Sequence, residues 1–478
     1  MLLCYLFSAM ISRWLKPLEH RYGLDLRSLA LLRLGLALVI LFDVWFRLGN
    51  VVADYTDQGT LPLSALGALW LPGYWSIHAL SGSVVWQWGC FAIATFSALL
   101  MLIGYRTRWA TIVAWLMLIS LHNRNPLIVS SADDVLRAMV FWAMFLPSGS
   151  SYSVDQALNM AKTPQPKRIV TMATVGLMAQ QSYIYIASAL SQPLSGGTGV
   201  GMMAMVLAWV GPLLLWSPIK TDVCRLLAVV LLLLFHIGGA LTLNLGLLPM
   251  ISCITWLAFV PSSVWDNLAE RTFTPKHLGL KIYYDAECGF CKKVVHLIRT
   301  FLILPRRVPL QITQSDPVIQ TAMETHNSWV IVDWQGQHHY KWHGIAYVVS
   351  LSPVFRPLAH VLRVPPLMAV GTRLYETIAS NRRFAGNFTK PFKYQSFTVR
   401  SHRVFSVLAL VALLLITLLN LRSITAYDAM ATSQQPAVAL LRQVTDGPIV
   451  RSLAPLGQAA RLDQSWHIFS PDADGQES

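Results

Sequence analysis

Long, mostly apolar runs separated by short polar loops fill the first half of the chain. A bilayer-crossing helix needs about 20 such residues. Eight runs are candidates, some of them shorter than that: Ser28 to Leu48, Val84 to Ile103, Trp109 to Leu121, Val135 to Leu146, Ile169 to Leu190, Met202 to Trp216, Leu226 to Leu241 and Gly246 to Val260. A ninth, Val404 to Leu421, follows much later. Between the eighth and the ninth, hydrophobicity drops after Pro261, and Asn267 to Gly279 is a polar linker.

From Leu280 to Arg403 the pattern is that of a soluble α/β domain. Lys281 to Asp285 reads as a strand, and Gly289 to Ile303 carries apolar residues at helical spacing. Strands follow at Leu310 to Thr313 and Trp329 to Asp333, with a helix between them at Pro317 to Thr325. Gln335-Gly336-Gln337 is a turn, after which His339 to Trp342 pairs back as a hairpin strand. Helices Ile345 to Leu362 and Pro366 to Asn381 complete the domain. The expected architecture is therefore an α-helical polytopic membrane domain of about eight spans over residues 1–265, an α/β domain over 280–395, one further span at 404–421, and a tail at 423–478.

Composition agrees with a membrane protein. The chain is 54% hydrophobic and only 13% charged, where soluble proteins average about 25%. Its formal net charge of +14 lies in short loops between apolar runs, which favours membrane orientation over nucleic-acid binding. With the N-terminus on the cytoplasmic side, cytoplasmic segments up to Lys281 carry fourteen Lys and Arg. The opposite loops carry one, Arg124, or two if Arg47 is counted at the end of the first span. This places the N-terminus and the α/β domain in the cytoplasm and the tail across the membrane. The apolar start, Met1 to Met10, lacks a preceding basic stretch and a small-residue cleavage site, so no cleaved signal peptide is expected.

Four of the six cysteines, Cys4, Cys90, Cys224 and Cys253, are isolated, and Cys288 and Cys291 form the only close pair. Asp285-Ala286-Glu287-Cys288-Gly289-Phe290-Cys291 ends a strand and opens a helix. At a helix start, unpaired N–H groups and the helix dipole stabilise a thiolate at Cys288. Cys291, one turn on, can resolve a mixed disulfide. Lys292 and Lys293 add positive charge nearby, and Asp285 and Glu287 oppose it. Zinc in structural sites takes four ligands, the pair supplies two, and His296 falls elsewhere on the helix, so no metal is expected there. The predicted catalytic residues are Cys288 and Cys291, supported by Asp285, Gly289 and Phe290.

Asp-x-x-Cys-x-x-Cys after an apolar strand resembles the DCC family of thiol–disulfide oxidoreductases. Gly344-Ile345-Ala346, Leu374-Tyr375 and Asn381-Arg382-Arg383-Phe384 also fit, so the resemblance covers roughly Leu280 to Asn387. It implies a thioredoxin-like fold and a thiol or disulfide partner, either a protein or a small thiol. Ala286 stands where the family usually has glycine, and Ser328-Trp329 stands where thioredoxins place a cis-proline.

Polar groups also punctuate the apolar half. Ionisable residues in a bilayer are costly and usually face a protein interior or a wet cavity. Arg33, Asp57, His122, Arg124, Asp133, Asp134 and Arg137 together predict a polar membrane cavity. Asp43, Gln180, Gln181, Tyr183, Tyr185 and His236 are further polar groups in the spans. Arg33 and Asp43 lie roughly 15 Å apart along one helix, so each needs a partner from another span. The strings Ser28 to Arg33, Tyr55 to Gly59, His122 to Pro126 and Asp133 to Arg137 resemble the HTTM family, whose membrane domain is shared with vitamin K-dependent γ-carboxylase. Trp466 to Pro471 resembles the ending of such fusions. The carboxylase implies a lysine base after a stretch matching Tyr183 to Leu190. No lysine occurs between Arg168 and Lys220, and Ser191 or Gln192 stands there instead, so vitamin K-dependent carboxylation is not expected. No cofactor follows from the motif itself. A redox domain fused to a polar-lined membrane domain points to a quinone or other lipid-soluble ligand. A membrane enzyme or transporter with the redox domain as its regulator is the alternative reading.

Overall fold

The structure is a computed structural model and describes residues 18–161, 163–190, 199–399, 403–425 and 447–462, together with 443 and 445. Met1 to Met10, Ser191, Gln192 and the Trp466 to Pro471 string lie outside the described residues. The chain is mostly helical with a small mixed sheet, and it divides into two compact units. One comprises residues 1–148, 166–262 and 399–478; the other comprises 149–165 and 263–398.

In the first unit, a two-residue strand β1 (Leu24–Asp25) pairs antiparallel with β2 (Arg168–Ile169). Asp25 then caps helix α1 (Leu26–Leu48), its carboxylate accepting from the Arg27 backbone N–H at 2.8 Å. Helices α2 (Val84–Ile103), α3 (Thr107–Arg124), α4 (Ser131–Phe145), α5 (Met172–Leu190), α6 (Gly199–Trp216), α7 (Thr221–Thr242) and α8 (Leu248–Leu257) follow. Ser130 and Asp133 form a reciprocal capping box that starts α4. Close packing is visible at Gly176, where an added Cβ would sit 2.2 Å from the ring of the fully buried Trp142.

Each of the expected apolar runs coincides with helix, but not all are equally suited to cross a membrane. Among the described residues four helices are long and apolar enough: Leu26–Leu48, Val84–Ile103, Thr221–Thr242 and Val404–Ser423. Helix α3 ends in His122, Asn123 and Arg124, α4 has only 15 residues, and α5 carries Gln180 and Gln181. Within the run from Gly246 to Val260 the helix is α8, only ten residues long, and α9 (Ser262–Thr272) starts after a break. Pro261 at the break lacks the N–H that a continuing helix would donate. The same helix corrects the linker reading of Asn267 to Gly279, which also holds a further turn at Pro275–Leu278. The span expected to begin at Ile169 begins at Met172, because Ile169 is in β2.

In the second unit the sheet order is β4-β3-β5-β6. Strand β3 (Lys281–Tyr284) pairs parallel with β4 (Leu310–Ile312) and antiparallel with β5 (Val330–Val332), and β5 pairs antiparallel with β6 (His338–His339). Helix α10 (Gly289–Phe301) is the connection that lets β3 and β4 run parallel. Leu280, Ile282, Tyr284, Val295, Val308 and Ile331 form the main core against Val348 and Leu351. The expected hairpin strand is shorter than the pattern indicates, since Lys341 already begins helix α12 (Lys341–Ser350). The helix expected from Ile345 to Leu362 is two, α12 and α13 (Arg356–Leu362), with Pro353 in the break. The residue before a proline is pushed out of helical conformation. Helix α11 (Pro317–His326) precedes β5, while α14 (Pro365–Ser380) and α15 (Arg382–Thr389) end the unit.

Residues 149–165 were not expected in this unit. Asn159 explains their attachment: its side chain donates to the Phe397 carbonyl at 2.8 Å and accepts from the Phe397 N–H at 3.1 Å. The Met160 N–H donates to the Gln395 carbonyl at 2.7 Å.

Candidate functional site

The site begins with a local decision of the backbone. Tyr284 ends β3, and Asp285-Ala286-Glu287 turn the chain before α10 starts at Gly289. Cys288 is the N-cap of that helix, with extended backbone and its Sγ accepting from the Cys291 N–H at 3.2 Å. A sulfur therefore occupies the place of the usual capping oxygen, facing the free N–H groups of the first turn. Cys288 and Cys291 are joined as a disulfide, with Cα atoms 5.2 Å apart, inside the ordinary range. The two are unequal in access: Cys291 is 2% exposed, and Cys288 is partly open to solvent.

Asp285 organises the turn. Its Oδ1 accepts from the Glu287 N–H and from Gln314 Nε2, both at 3.0 Å. Arg382, at the start of α15, places Nη1 3.9 Å from the other carboxylate oxygen and donates to Asn327 Oδ1 at 2.6 Å. The Cys288 N–H donates to the Asp285 carbonyl at 3.3 Å. Gly289 and Phe290 fill the helix start. A Cβ at Gly289 would meet nothing within 4 Å, so packing does not demand glycine there. Lys292 and Lys293, expected to add charge near the sulfurs, have partners of their own. Lys293 donates to the Thr389 carbonyl at 2.7 Å, and both ammonium groups lie over the Tyr394 ring, at 5.5 and 5.8 Å. His296, further along α10, has its pKa lowered to about 4, first by burial and then by Arg299 and Lys292.

Ser328 is buried at the end of the loop before β5. Its hydroxyl donates to the Trp329 carbonyl at 2.8 Å and accepts from the Lys341 N–H at 2.6 Å. The Trp329 N–H donates to the Tyr375 hydroxyl at 3.1 Å. Two of the strings that carry the resemblance thus have structural reasons. Tyr375 pins the Ser328-Trp329 corner. Gly344 gives room to β5 and β6, because a Cβ there would lie 2.8 Å from Ile331 and 3.1 Å from the His339 carbonyl.

The residues expected to line a membrane cavity mostly meet in a buried ionic network. Arg47 donates through Nε to both Asp43 oxygens at 2.8 and 2.9 Å, through Nη1 to the Tyr55 hydroxyl at 3.0 Å, and through Nη2 to Asp133 at 2.7 Å. His122 Nε2 lies 3.3 Å from the same Asp133 oxygen. Arg137 donates to His122 Nδ1 and to Asp134. Because a guanidinium only donates, Nδ1 must accept, which leaves the ring proton on Nε2 facing Asp133. Arg124 donates to the Leu61 carbonyl at 2.8 Å and lies 3.9 Å from Asp57, which also accepts from the Leu63 N–H at 2.8 Å. Arg33 is buried on α1.

Sequence reasoning missed Arg47, which reads only as a charge at the end of the first span yet holds Asp43, Asp133 and Tyr55 together; the Asp43–Arg47 spacing of four was the available signal. Ligand atoms of Asp43, His122 and Asp133 also lie within 4.8 Å of one another, a spacing that suits a cation. Arg47 already supplies positive charge to both carboxylates.

With this geometry in view, residues 282–386 match the family of DCC1-like thiol-disulfide oxidoreductases. No curated protein and no solved structure matches the chain.

Proposed function

We propose, from the family match over residues 282–386, that this chain is a membrane-bound thiol–disulfide oxidoreductase whose working pair is Cys288 and Cys291. The observation that carries the reading is the asymmetry of the pair: an accessible sulfur caps a helix and a buried sulfur follows one turn later. In the reduced form the Cys288 thiolate attacks a partner disulfide, forming a mixed disulfide and expelling one partner thiolate. The Cys291 thiolate then attacks the Cys288 sulfur. The second partner thiol leaves, and the intramolecular disulfide closes. Two electrons pass from the dithiol to the partner, and a thiol reductant returns the pair to the start. Asp285, with Gln314 and Arg382, fixes the turn that presents Cys288.

The domain is read as thioredoxin-like, which the helix after β3 and the mixed sheet support. Four apolar helices support an integral membrane protein. The Lys and Arg distribution supports a bacterial-type inner membrane with the N-terminus and redox domain cytoplasmic. The Ser28 to Arg33, Tyr55 to Gly59, His122 to Pro126 and Asp133 to Arg137 strings support an HTTM-like membrane domain, residues 1–265, whose ligand is a quinone or other lipid-soluble molecule. A second reading, in which the membrane domain does its own chemistry or transport and the thiol pair regulates it, has its support in the ligand atoms of Asp43, His122 and Asp133, which lie within 4.8 Å of one another.

Trapping tests the first reading. The full chain in detergent, carrying Cys291→Ser, is mixed with a protein disulfide. A covalent adduct on Cys288, absent in Cys288→Ser, is the expected result. A Cys288 that alkylates like an ordinary free thiol and forms no adduct removes the enzymatic reading.

A further inference from the structure

The end of the second unit is built oddly for a surface that meets only water. Helix α14 buries Gly371 alone, and its partly buried side chains, Met368, Thr372, Tyr375 and Ala379, mark one narrow packed stripe. A second stripe, Leu367, Val370, Leu374 and Ile378, is exposed. Positions i, i+3, i+7 and i+11 fall on one face of a helix, so these four side chains stand in a row. Helix α15 adds Phe384 and Phe388, four residues apart, at 65% and 69% exposure. Singly exposed apolar residues are ordinary, but rows of them mark an interaction surface.

Charge narrows the occupant. From Val354 to Lys393 the chain carries seven Lys and Arg against one acid, Glu376. Even that acid is neutralised, by Lys341 at 2.6 Å. Helices with an exposed apolar row among basic residues are the kind that lie in the headgroup region of anionic lipid. An acidic protein partner would satisfy the charges but not the apolar row. The chain supplies the second reason. Arg403, which starts α16 (Arg403–Thr425), is ten residues beyond Lys393, and Val404–Ser423 is apolar enough to cross a membrane. Ten extended residues reach at most about 35 Å. Lys393, four residues past the end of α15, is therefore tethered within that distance of the start of a candidate span.

We propose that α14 and α15 form a membrane-docking face that lays the redox unit on an anionic lipid surface. The proposal rests on the membrane reading of Val404–Ser423 and not on the thiol chemistry. Docking would limit the partners of Cys288 to those that reach the membrane plane, and would make access to them depend on lipid charge.

The test uses the full chain in lipid nanodiscs, with a benzophenone side chain placed at Val370 or at Phe388 and, as a control, at Glu324 on α11. Resistance of residues 280–390 to limited proteolysis reports that the unit is folded. Irradiation in discs of phosphatidylcholine with phosphatidylglycerol is expected to give lipid adducts at Val370 and Phe388 several-fold above Glu324. In discs of phosphatidylcholine alone the adducts are expected to fall several-fold. Adducts no more frequent than at Glu324, adducts indifferent to phosphatidylglycerol, or cross-links to another segment of the chain would each overturn the proposal. Phe384→Asp with Phe388→Asp is expected to abolish the lipid adduct at Val370 while residues 280–390 stay as resistant to proteolysis as before; an unchanged adduct would also overturn it. Because none of these readings depends on thiol exchange, failure here leaves the oxidoreductase proposal intact, and the reverse holds.

Discussion

The turn around Cys288 and the network around Arg47 use polar residues in opposite ways. At Cys288 most contacts are short-range: Asp285 to Glu287, and Cys288 to Cys291. The outcome is one accessible sulfur and one buried sulfur behind it. At Arg47 the partners come from three distant stretches, 43–55, 122 and 133–137, and each charge meets an opposite one, all but Asp134 largely away from water. Three carboxylates surround two guanidiniums with His122 among them. The first arrangement leaves chemistry available. The second consumes charge in holding helices together, because a buried ion must be paired to be tolerated. A motif with local contacts can act wherever its strand and helix form, whereas a network of distant charges exists only once the helices have packed.

Perturbing each side in turn tests that contrast. The largest expected effect is on exchange: Cys288→Ser should reduce disulfide exchange to background while the thermal unfolding of the detergent-solubilised chain stays unchanged. Asp133→Ala should do the opposite. It leaves Arg47 and His122 buried without a shared carboxylate, at a cost of about 3–5 kcal/mol. Thermal unfolding should fall accordingly, with mixed-disulfide trapping at Cys288 preserved in the folded fraction. Gly344→Val forces a side chain against Ile331 and the His339 carbonyl, costing about 1–3 kcal/mol by overpacking. Proteolysis within residues 280–390 should rise, and cleavage in the apolar unit should not.

Acid should separate the units further. The His296 imidazole is held below its ordinary value, to about 4, mainly by burial. As pH falls, the unfolded state takes up the proton first, so the second unit loses stability from near the ordinary histidine value down to about 4. Replacing His296 with Gln should flatten that part of the profile, which proteolysis across a pH series would show. The smallest effect is Arg382→Ala. Its contacts to Asn327 and Asp285 are partly exposed and contribute about 1 kcal/mol or less. A small rise in proteolysis with nearly normal exchange is expected, and a large loss of exchange would instead make Arg382 part of the reactive site.

The redox region was legible because its signals are local. The β3 to α10 turn, the pair spaced by three and the turn at Gln335-Gly336-Gln337 are all written in adjacent residues. The breaks were less legible. Pro353 splits a run that reads as one helix, because apolar periodicity continues across it while the residue before a proline is pushed out of helical conformation. Arg47 reads only as a charge at the end of the first span, because its role depends on Asp133, 86 residues away.

By itself the sequence determined which stretches are apolar, where a thiol pair opens a helix, and on which loops positive charge accumulates, since each depends on neighbours along the chain. Only the tertiary structure decided that Gln314 and Arg382 reach Asp285, that residues 149–165 join the second unit through Asn159, and that Arg47 gathers Asp43, Tyr55 and Asp133. Contacts between residues far apart in the chain are chosen by packing and by the cost of burying a charge alone. No pattern of neighbours encodes that choice directly.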